Sequence, residues 1–146
     1  GPLRRRESSM TALAVAASVG AALVGGIFFA FSTFVLQALD RLGEADAAAA
    51  MRAINVTVLN PLFFAAFFGA GLLAAAVAVE RGDATALAAA GCYLAGTIGV
   101  TILGNVPLND RLARGGMGWP AYRRAWARWN HLRTAAALAA AVLFLA

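Results

Sequence analysis

The sequence predicts an all-α membrane protein, a transmembrane four-helix bundle with a short interfacial helix between spans one and two. Of its 146 residues, 62% are apolar and 13% are charged, whereas soluble domains are about 45–50% apolar and about 25% charged. Long uncharged runs alternate with short polar segments, and the runs are dense in glycine and alanine, as in helices that pack closely in lipid. This composition excludes a water-soluble domain, a disordered chain and, despite the net charge of +5, a nucleic-acid-binding protein.

The first span is predicted from Thr11 to Leu39, where no residue is charged. A helix of that length reaches roughly 43 Å and exceeds the ~30 Å hydrocarbon core, so it has to tilt or protrude. A secretory signal is the competing interpretation, but its apolar region covers only about 7 to 15 residues. Residues 1–10 are expected to form a tail outside the single membrane domain of residues 11–146. Gly1 and Pro2 resemble a remnant of tag removal.

The next three elements follow from the alternation of polar and apolar residues. The segment Asp40–Arg52 carries acidic residues and an alanine run, which predicts the short helix at the interface. The second span is predicted over Leu59–Val79, with Pro61 placed to begin a helix. A polar turn at residues 80–83 separates it from the third span, predicted over Ala84–Gly104, and makes the two an antiparallel pair.

The last helix is predicted from Trp119 to Ala146, after a flexible loop that begins beyond Pro107. Only the second half of this helix lacks charge. The arginines are spread over both sides of the predicted bundle, and several belong to candidate site segments. The positive-inside rule therefore leaves the orientation in the membrane open.

The last helix also concentrates the rare polar and aromatic residues. On a helical projection, five side chains fall within about 80° of one another. They are Trp119, Tyr122, Trp126, Trp129 and Arg133. Asn130 flanks this stripe, while His131 points away from it. An aromatic belt with arginines that reach the headgroups is the alternative, but Arg133 precedes thirteen uncharged residues, and an ionisable group at that depth marks a functional site.

Two further polar clusters lie on the same side of the membrane as this stripe, given the up-and-down order of the spans. Asn55 and Asn60 precede the second span, and Asn105 and Asn109 follow the third. Because amides buried in lipid need partners, we expect them to converge with Arg133 and Asn130 in a polar chamber. The chamber is expected to be lined by Phe28, Phe29, Phe31, Phe34, Phe63, Phe64, Phe67 and Phe68.

Several chemistries are excluded by residue count. One histidine and one cysteine, Cys92, cannot supply the three or four ligands of a zinc or non-haem iron site within one subunit. A haem with His131 as its axial ligand remains an alternative. Serine nucleophiles are also unpromising, because the only histidine is distant in sequence from all four serines, which are Ser8, Ser9, Ser18 and Ser32.

The sequence resembles the anthrone oxygenase family of small four-span membrane proteins. The matching segments are residues 25–32, residues 51–55 through Asn60-Pro61, residues 105–109, and the segment Trp-Ala-Arg-Trp-Asn-His-Leu-Arg-Thr at 126–134. The resemblance implies oxidation of an anthrone-type polyphenol to a quinone by molecular oxygen, without metal or flavin. By matching position, it also implies six site residues. They are Asn60, Asn105, Asn109, Trp126, Asn130 and Arg133, with His131 found in part of the family pattern.

A reaction scheme follows from this inventory as a hypothesis. Loss of a carbon-bound proton turns an anthrone into an electron-rich anion that can reduce oxygen, so the protein has to supply a base, an anion stabiliser and a dry aromatic pocket. Arg133, Asn130 and Asn105 are expected to stabilise the oxyanion, and His131 or Asp110 to accept the proton. The substrate is expected to contact Trp126 and Trp129 by stacking, and Tyr122, Asn55, Asn60 and Asn109 by polar contacts.

Other functions remain open from the sequence. A non-catalytic membrane protein that binds or transports a small amphipathic molecule would use the same residues for recognition, and a haem-binding redox protein is the third hypothesis. In each case the chain is expected to be a multi-pass protein of the cell membrane. The abundance of small residues also favours self-association into a homo-oligomer.

Overall fold

The structure of residues 1–146, a computed structural model, contains five helices and no strand, which confirms the all-helical prediction. We number the helices α1 (Pro2–Asp40), α2 (Glu44–Thr57), α3 (Pro61–Arg81), α4 (Ala84–Ala113) and α5 (Trp119–Phe144). Helices α1, α3 and α4 are long and apolar enough to cross a membrane, as is typical of a membrane protein. Helix α5 does not meet that criterion, because its first 15 residues carry four arginines, Asn130 and His131.

Helices α1 and α5 run antiparallel along most of their length. Near one end Ser18 Oγ donates a hydrogen bond to the Ala141 carbonyl at 2.7 Å, and near the other Trp119 Nε1 donates to Asp40 Oδ1 at 2.9 Å. Helix α4 packs against α5 and α3 packs against α1. The buried residues along these contacts are mostly alanine, which lets the helix backbones approach closely.

Helix α2 lies across one end of this bundle. It buries Ala47, Ala48 and Met51 in a second apolar core, together with residues of α1, α4 and α5 such as Leu36 and Tyr122. The sequence predicted this helix at Asp40–Arg52, but α1 continues to Asp40 and α2 begins only after Gly43. That glycine has a φ of 83°, a left-handed conformation that ends the turn between the two helices.

The turn between α3 and α4 forms as predicted. Gly82 ends α3 with a φ of 64°, the left-handed conformation common just after a helix. Asp83 then begins α4 by accepting a hydrogen bond from the Ala86 backbone N–H at 2.9 Å, and it pairs with Arg81 at 2.8 Å. These contacts, the Ala86 hydrogen bond first, hold the pKa of the Asp83 carboxyl below its ordinary value.

The loop predicted after Pro107 is wrong, because α4 continues through the proline to Ala113. The helix winds as two π-helical segments, Leu94–Gly99 and Thr101–Asn105, directly before Pro107. A proline in a regular helix removes one hydrogen bond and clashes with the preceding turn. The wider π-helical turn relieves this conflict, so the helix need not end there. The actual loop is short and includes Gly115, with a φ of 70°.

Candidate functional site

A cavity of about 170 Å³ lies inside the bundle, next to α2. Every helix contributes to its lining, and most of the lining is aromatic or aliphatic. Six phenylalanines face it, which are Phe28, Phe31, Phe63, Phe64, Phe67 and Phe68. The polar groups in the lining are few: Arg133, Thr101, Asn55 and Asn109. We call this space the Arg133 cavity. A mostly apolar lining with a few convergent polar groups is typical of a small-molecule site.

Arg133 is the only charged residue in the lining. Its side chain is buried, with 6% of the residue exposed. The ion pairs of the protein, Arg81 with Asp83 and Arg123 with Asp40, do not involve it. Instead the guanidinium carbon lies 3.7 Å from the ring centre of Phe28 and 5.1 Å from that of Trp126. Two aromatic faces therefore stabilise a buried positive charge that no carboxylate neutralises.

Hydrogen bonds fix the orientation of this guanidinium. Arg133 Nε donates to Asn130 Oδ1 at 3.0 Å, and Nη1 donates to Thr101 Oγ1 at 3.1 Å. Nη2 donates to no group of the protein, although the side chain lines the cavity. The guanidinium thus keeps a pair of N–H donors for a molecule in the cavity.

Asn130 connects Arg133 to α1. Its amide nitrogen donates to the Phe28 carbonyl at 2.9 Å and to Ser32 Oγ at 2.8 Å. Ser32 belongs to a π-helical turn of α1, Phe31–Val35, and turns of this kind are frequent at functional sites. Asn130 is fully buried and does not line the cavity. Its contact with Arg133 orients the guanidinium and leaves Asn130 itself without contact to a molecule in the cavity.

A polar stripe of α4 faces α5. Its members occur at every fourth position of the helix: Thr97, Thr101, Asn105 and Asn109. In a regular α-helix every fourth residue drifts by about 40° around the axis, because one turn takes 3.6 residues. A π-helix turns less per residue. The π-helical segments of α4 therefore offset the drift and keep the stripe on one face.

The two ends of this stripe bind different parts of α5. Thr97 Oγ1 donates to the carbonyl of Arg133 at 3.1 Å, next to the Thr101 contact. At the other end, Asn109 Oδ1 accepts hydrogen bonds from Tyr122 OH at 2.7 Å and from Trp126 Nε1 at 3.0 Å. Asn55 of α2 donates to the same Tyr122 oxygen at 3.3 Å. Asn55, Asn109 and Trp126 line the cavity, while Tyr122 lies just behind them.

Asn105 occupies the middle of the stripe and has one unsatisfied atom. Its amide nitrogen donates to the Trp126 carbonyl at 3.2 Å. Its Oδ1 is buried and accepts no hydrogen bond. Such an orphaned acceptor is uncommon in folded proteins and costs about 1–3 kcal/mol. Asn105 is not part of the cavity lining, so the structure gives it a contact with α5 and no contact with the cavity.

Three further predicted site residues lie outside the cavity lining. Asn60 is exposed and begins α3 by accepting a hydrogen bond from the Phe63 N–H at 2.9 Å. Trp129 is 40% exposed and packs on Gly104, where no side chain fits. His131 is exposed, and its Nδ1 lies 2.8 Å from Ser32 Oγ.

These placements correct several expectations. The predicted convergence of Asn60 with Arg133 is wrong, because the side chain is used to begin a helix. Phe29 and Phe34 face outward rather than into the cavity. Ser32 has a histidine neighbour after all, because the antiparallel packing of α1 and α5 joins residues far apart in sequence. Asp110, the other expected proton acceptor, is exposed and outside the lining.

The sequence pattern did not identify Thr97 or Thr101 as site residues, and Ser32 was considered only as a nucleophile. Threonine and serine are common in membrane helices, where they also serve helix packing. Their presence in a helix therefore does not indicate a functional site. The four-residue spacing from Thr97 through Asn109 was the available signal. A search for a 3.6-residue period does not find it, because the π-helical winding changes the period.

Two other clefts are poorer candidates for a site. One lies at the end of the bundle next to Arg81 and the C-terminal residues, and the other lies beside Asp40 and Trp119. Both are wide open to the surroundings. No group of three or more histidine, cysteine or acidic residues could hold a metal ion.

Comparison with known proteins identifies one family. The model of a family described as anthrone oxygenase matches residues 49–143, about two thirds of the chain. The match covers α3 and α4, most of α2, all but the last residue of α5, and every residue predicted to act in catalysis or to contact the substrate. No curated protein and no solved structure matches. On the extent of the family match, the chain belongs to the anthrone oxygenase family.

Proposed function

We propose that the protein is a membrane-embedded oxygenase that oxidises a lipophilic anthrone-like or phenolic aromatic compound with molecular oxygen. The observation that carries the proposal is Arg133, a buried guanidinium without a carboxylate partner at an aromatic cavity. Family membership supports an oxygenase-like function. Burying a charge costs several kcal/mol, and a binding function explains why it is retained there.

The chemistry follows from the acidity of the substrate. An anthrone loses a proton from its ring CH₂ to give an aromatic oxyanion, and the free N–H donors of Arg133 stabilise that anion in a water-poor site. No carboxylate or imidazole lines the cavity, so the proton goes to water. The anion then gives electrons to O₂. One oxygen atom becomes the new quinone carbonyl, and the other leaves as water with the two hydrogens of the CH₂ group.

We propose that no cofactor takes part. The oxyanion of such a substrate is itself electron-rich enough to reduce oxygen, so the protein has only to bind, orient and stabilise it. The aromatic lining supports this role, because it surrounds the substrate with apolar contacts next to a single cation. Molecular oxygen is the co-substrate.

We also propose a four-span topology in the cell membrane, with α2 lying at the interface. Helix α5 contacts α1 from Ser18 to Asp40, which includes most of the apolar stretch of α1. If α1 crosses the membrane, α5 lies at the same depth. Helix α2 carries Glu44, Asp46 and Arg52 and covers the end of the bundle, as an interfacial helix does.

The experiment is oxygen uptake by the purified protein in lipid vesicles with 1,8-dihydroxyanthrone, after treatment with a chelator. We expect oxygen consumption above that of protein-free vesicles, and one ¹⁸O atom from ¹⁸O₂ in each quinone formed. Arg133→Met is expected to lower turnover by about 10²-fold or more. Arg128→Met, on the exposed side of the same helix, is the control and should keep wild-type turnover. Equal turnover of both variants, or none by the wild type, would contradict the proposal.

A further inference from the structure

The Arg133 cavity reaches the outer surface of the bundle between α3 and α4. Apart from Leu59, which precedes α3, four residues that line it are also exposed on the outside. Phe64 and Phe68 belong to α3, and Ile102 and Val106 belong to α4. A side chain that faces both the cavity and the surroundings lies at an opening. We call these four residues the rim.

The opening arises because the two helices separate. Helix α3 packs along residues 84–99 of α4 and scarcely contacts the rest of that helix. Close approach in the packed part depends on Gly71, since a Cβ at that position would lie 2.8 Å from the Ile98 side chain. Beyond Gly99 the π-helical winding carries α4 toward α5, as the Thr101 and Asn105 contacts with α5 show. The gap widens toward the rim.

The surface around the rim is apolar. No charged residue occurs in α3 before Glu80, or in α4 before Asp110. The rim therefore faces the hydrocarbon region when these helices cross a membrane. The end of the bundle beside it is covered by α2, whose Met51 is fully buried against the cavity.

We propose that the cavity is loaded sideways from the bilayer through the gap between α3 and α4. This inference rests on the proposed function and specifies its substrate class: a lipid-soluble aromatic with an acidic hydroxyl, dissolved in the membrane rather than in water. The apolar part of the molecule contacts the rim phenylalanines during entry, and its acidic oxygen then meets the unpaired Nη2 of Arg133.

The test measures how fast 2-hydroxyanthraquinone binds to the protein in lipid vesicles, followed by the visible absorbance of the bound ligand. Ile102→Trp fills the rim and is expected to slow association about tenfold or more, because the passage then has to open by a conformational change. Leu103→Trp is the matched control. Leu103 is the next residue, is 78% exposed and does not line the cavity, so we expect association within about twofold of wild type.

A second measurement needs no bulky variant. Adding lipid at a fixed total amount of ligand dilutes the ligand within the membrane. The association rate is expected to fall with the mole fraction of ligand in the lipid, and Ile102→Ala, which widens the rim, should associate at least as fast as wild type. Association of Ile102→Trp at the wild-type rate would overturn the sideways route alone. Absence of binding to the wild type would overturn the proposed function and this inference with it.

Discussion

At the scale of single residues, the function of the site depends on the free energy of burying the Arg133 cation and on the contacts that offset this cost. Removing a cation from water costs several kcal/mol. Its hydrogen bonds to Asn130 and Thr101 each contribute about 1.5–3 kcal/mol, and a desolvated contact with an aromatic face contributes about 2 kcal/mol. These contributions are comparable to the cost, so the guanidinium is held in place while its charge is not neutralised. An anionic ligand in the cavity would neutralise that charge.

Asn130→Asp tests whether the unneutralised charge matters. The carboxylate would sit 3.0 Å from Arg133 Nε in place of the amide oxygen, and would neutralise the guanidinium. We expect the affinity for ionised 2-hydroxyanthraquinone, relative to neutral anthraquinone, to fall about tenfold or more.

The control for this variant is Asn60→Asp, which makes the same chemical change at the exposed start of α3, where aspartate is an equally good capping residue. Calorimetric titration in vesicles gives both affinities. An unchanged ratio in Asn130→Asp would mean that the charge of Arg133 does not recognise the ligand.

At the scale of helices, close packing between α4 and α5 positions the polar stripe. Gly96 is the point of nearest approach, since a Cβ there would lie 2.5 Å from the Ala136 Cβ. The two helices can form the Thr97 and Thr101 contacts with Arg133 only at this separation.

Gly96→Ala is expected to destabilise the protein by about 1–3 kcal/mol, because the added methyl group forces the helices apart. Gly91→Ala, on the same helix, meets nothing within 4 Å and is expected to be neutral or stabilising by up to about 1 kcal/mol. Unfolding in detergent, followed by circular dichroism, compares the two. Equal stability of both variants would show that Gly96 does not set the helix separation.

Some helices are predictable from the sequence and others are not, for physical reasons. Helices α3 and α4 begin at strong signals, Pro61 and Asp83, and α3 ends before Gly82. The continuation of α4 through Pro107 was not predictable, because the π-helical turns that accommodate the proline leave no signature in hydrophobic period. Helix α2 begins later than predicted, because Gly43 ends the turn between α1 and α2, whereas the prediction used the change in composition at Asp40.

The site was predictable only in part. Arg133 was identified by its depth in an apolar segment, and Trp126, Asn55 and Asn109 line the cavity with it. Asn60 was misplaced because an asparagine before a proline is also a helix cap. Ser32 and Thr101 could not be assigned, since their importance comes from contacts between helices that only the three-dimensional packing reveals.

At the scale of the whole molecule, the four-span proposal fixes which segments share a side of the membrane. With an even number of spans, residues near both ends of the chain lie on one side and the α4–α5 loop lies on the other. This arrangement places α5 across the membrane with its arginines toward the loop end and the Arg133 cavity beneath α2.

Single cysteines in a Cys92→Ala background test this topology. Ser8→Cys and Leu145→Cys are expected to react with a membrane-impermeant maleimide from the same side of sealed vesicles, and Arg114→Cys from the opposite side. Labelling of Leu145→Cys and Arg114→Cys from one side would show that α5 does not cross. Cysteine at Leu72, which is exposed in the middle of α3, serves as the unreactive membrane control.

The central claim is that the Arg133 guanidinium stabilises an oxyanion inside the cavity, and the pKa of a bound ligand measures this directly. The hydroxyl of 2-hydroxyanthraquinone changes the visible spectrum when it ionises, so a pH titration in vesicles reports the pKa of the bound ligand. A positive charge beside the oxyanion lowers that pKa. We predict that the pKa of the ligand bound to the wild-type protein is at least about one unit below its value in protein-free vesicles, and that Arg133→Met abolishes the difference. A ligand pKa that is unchanged or raised on binding would contradict the account.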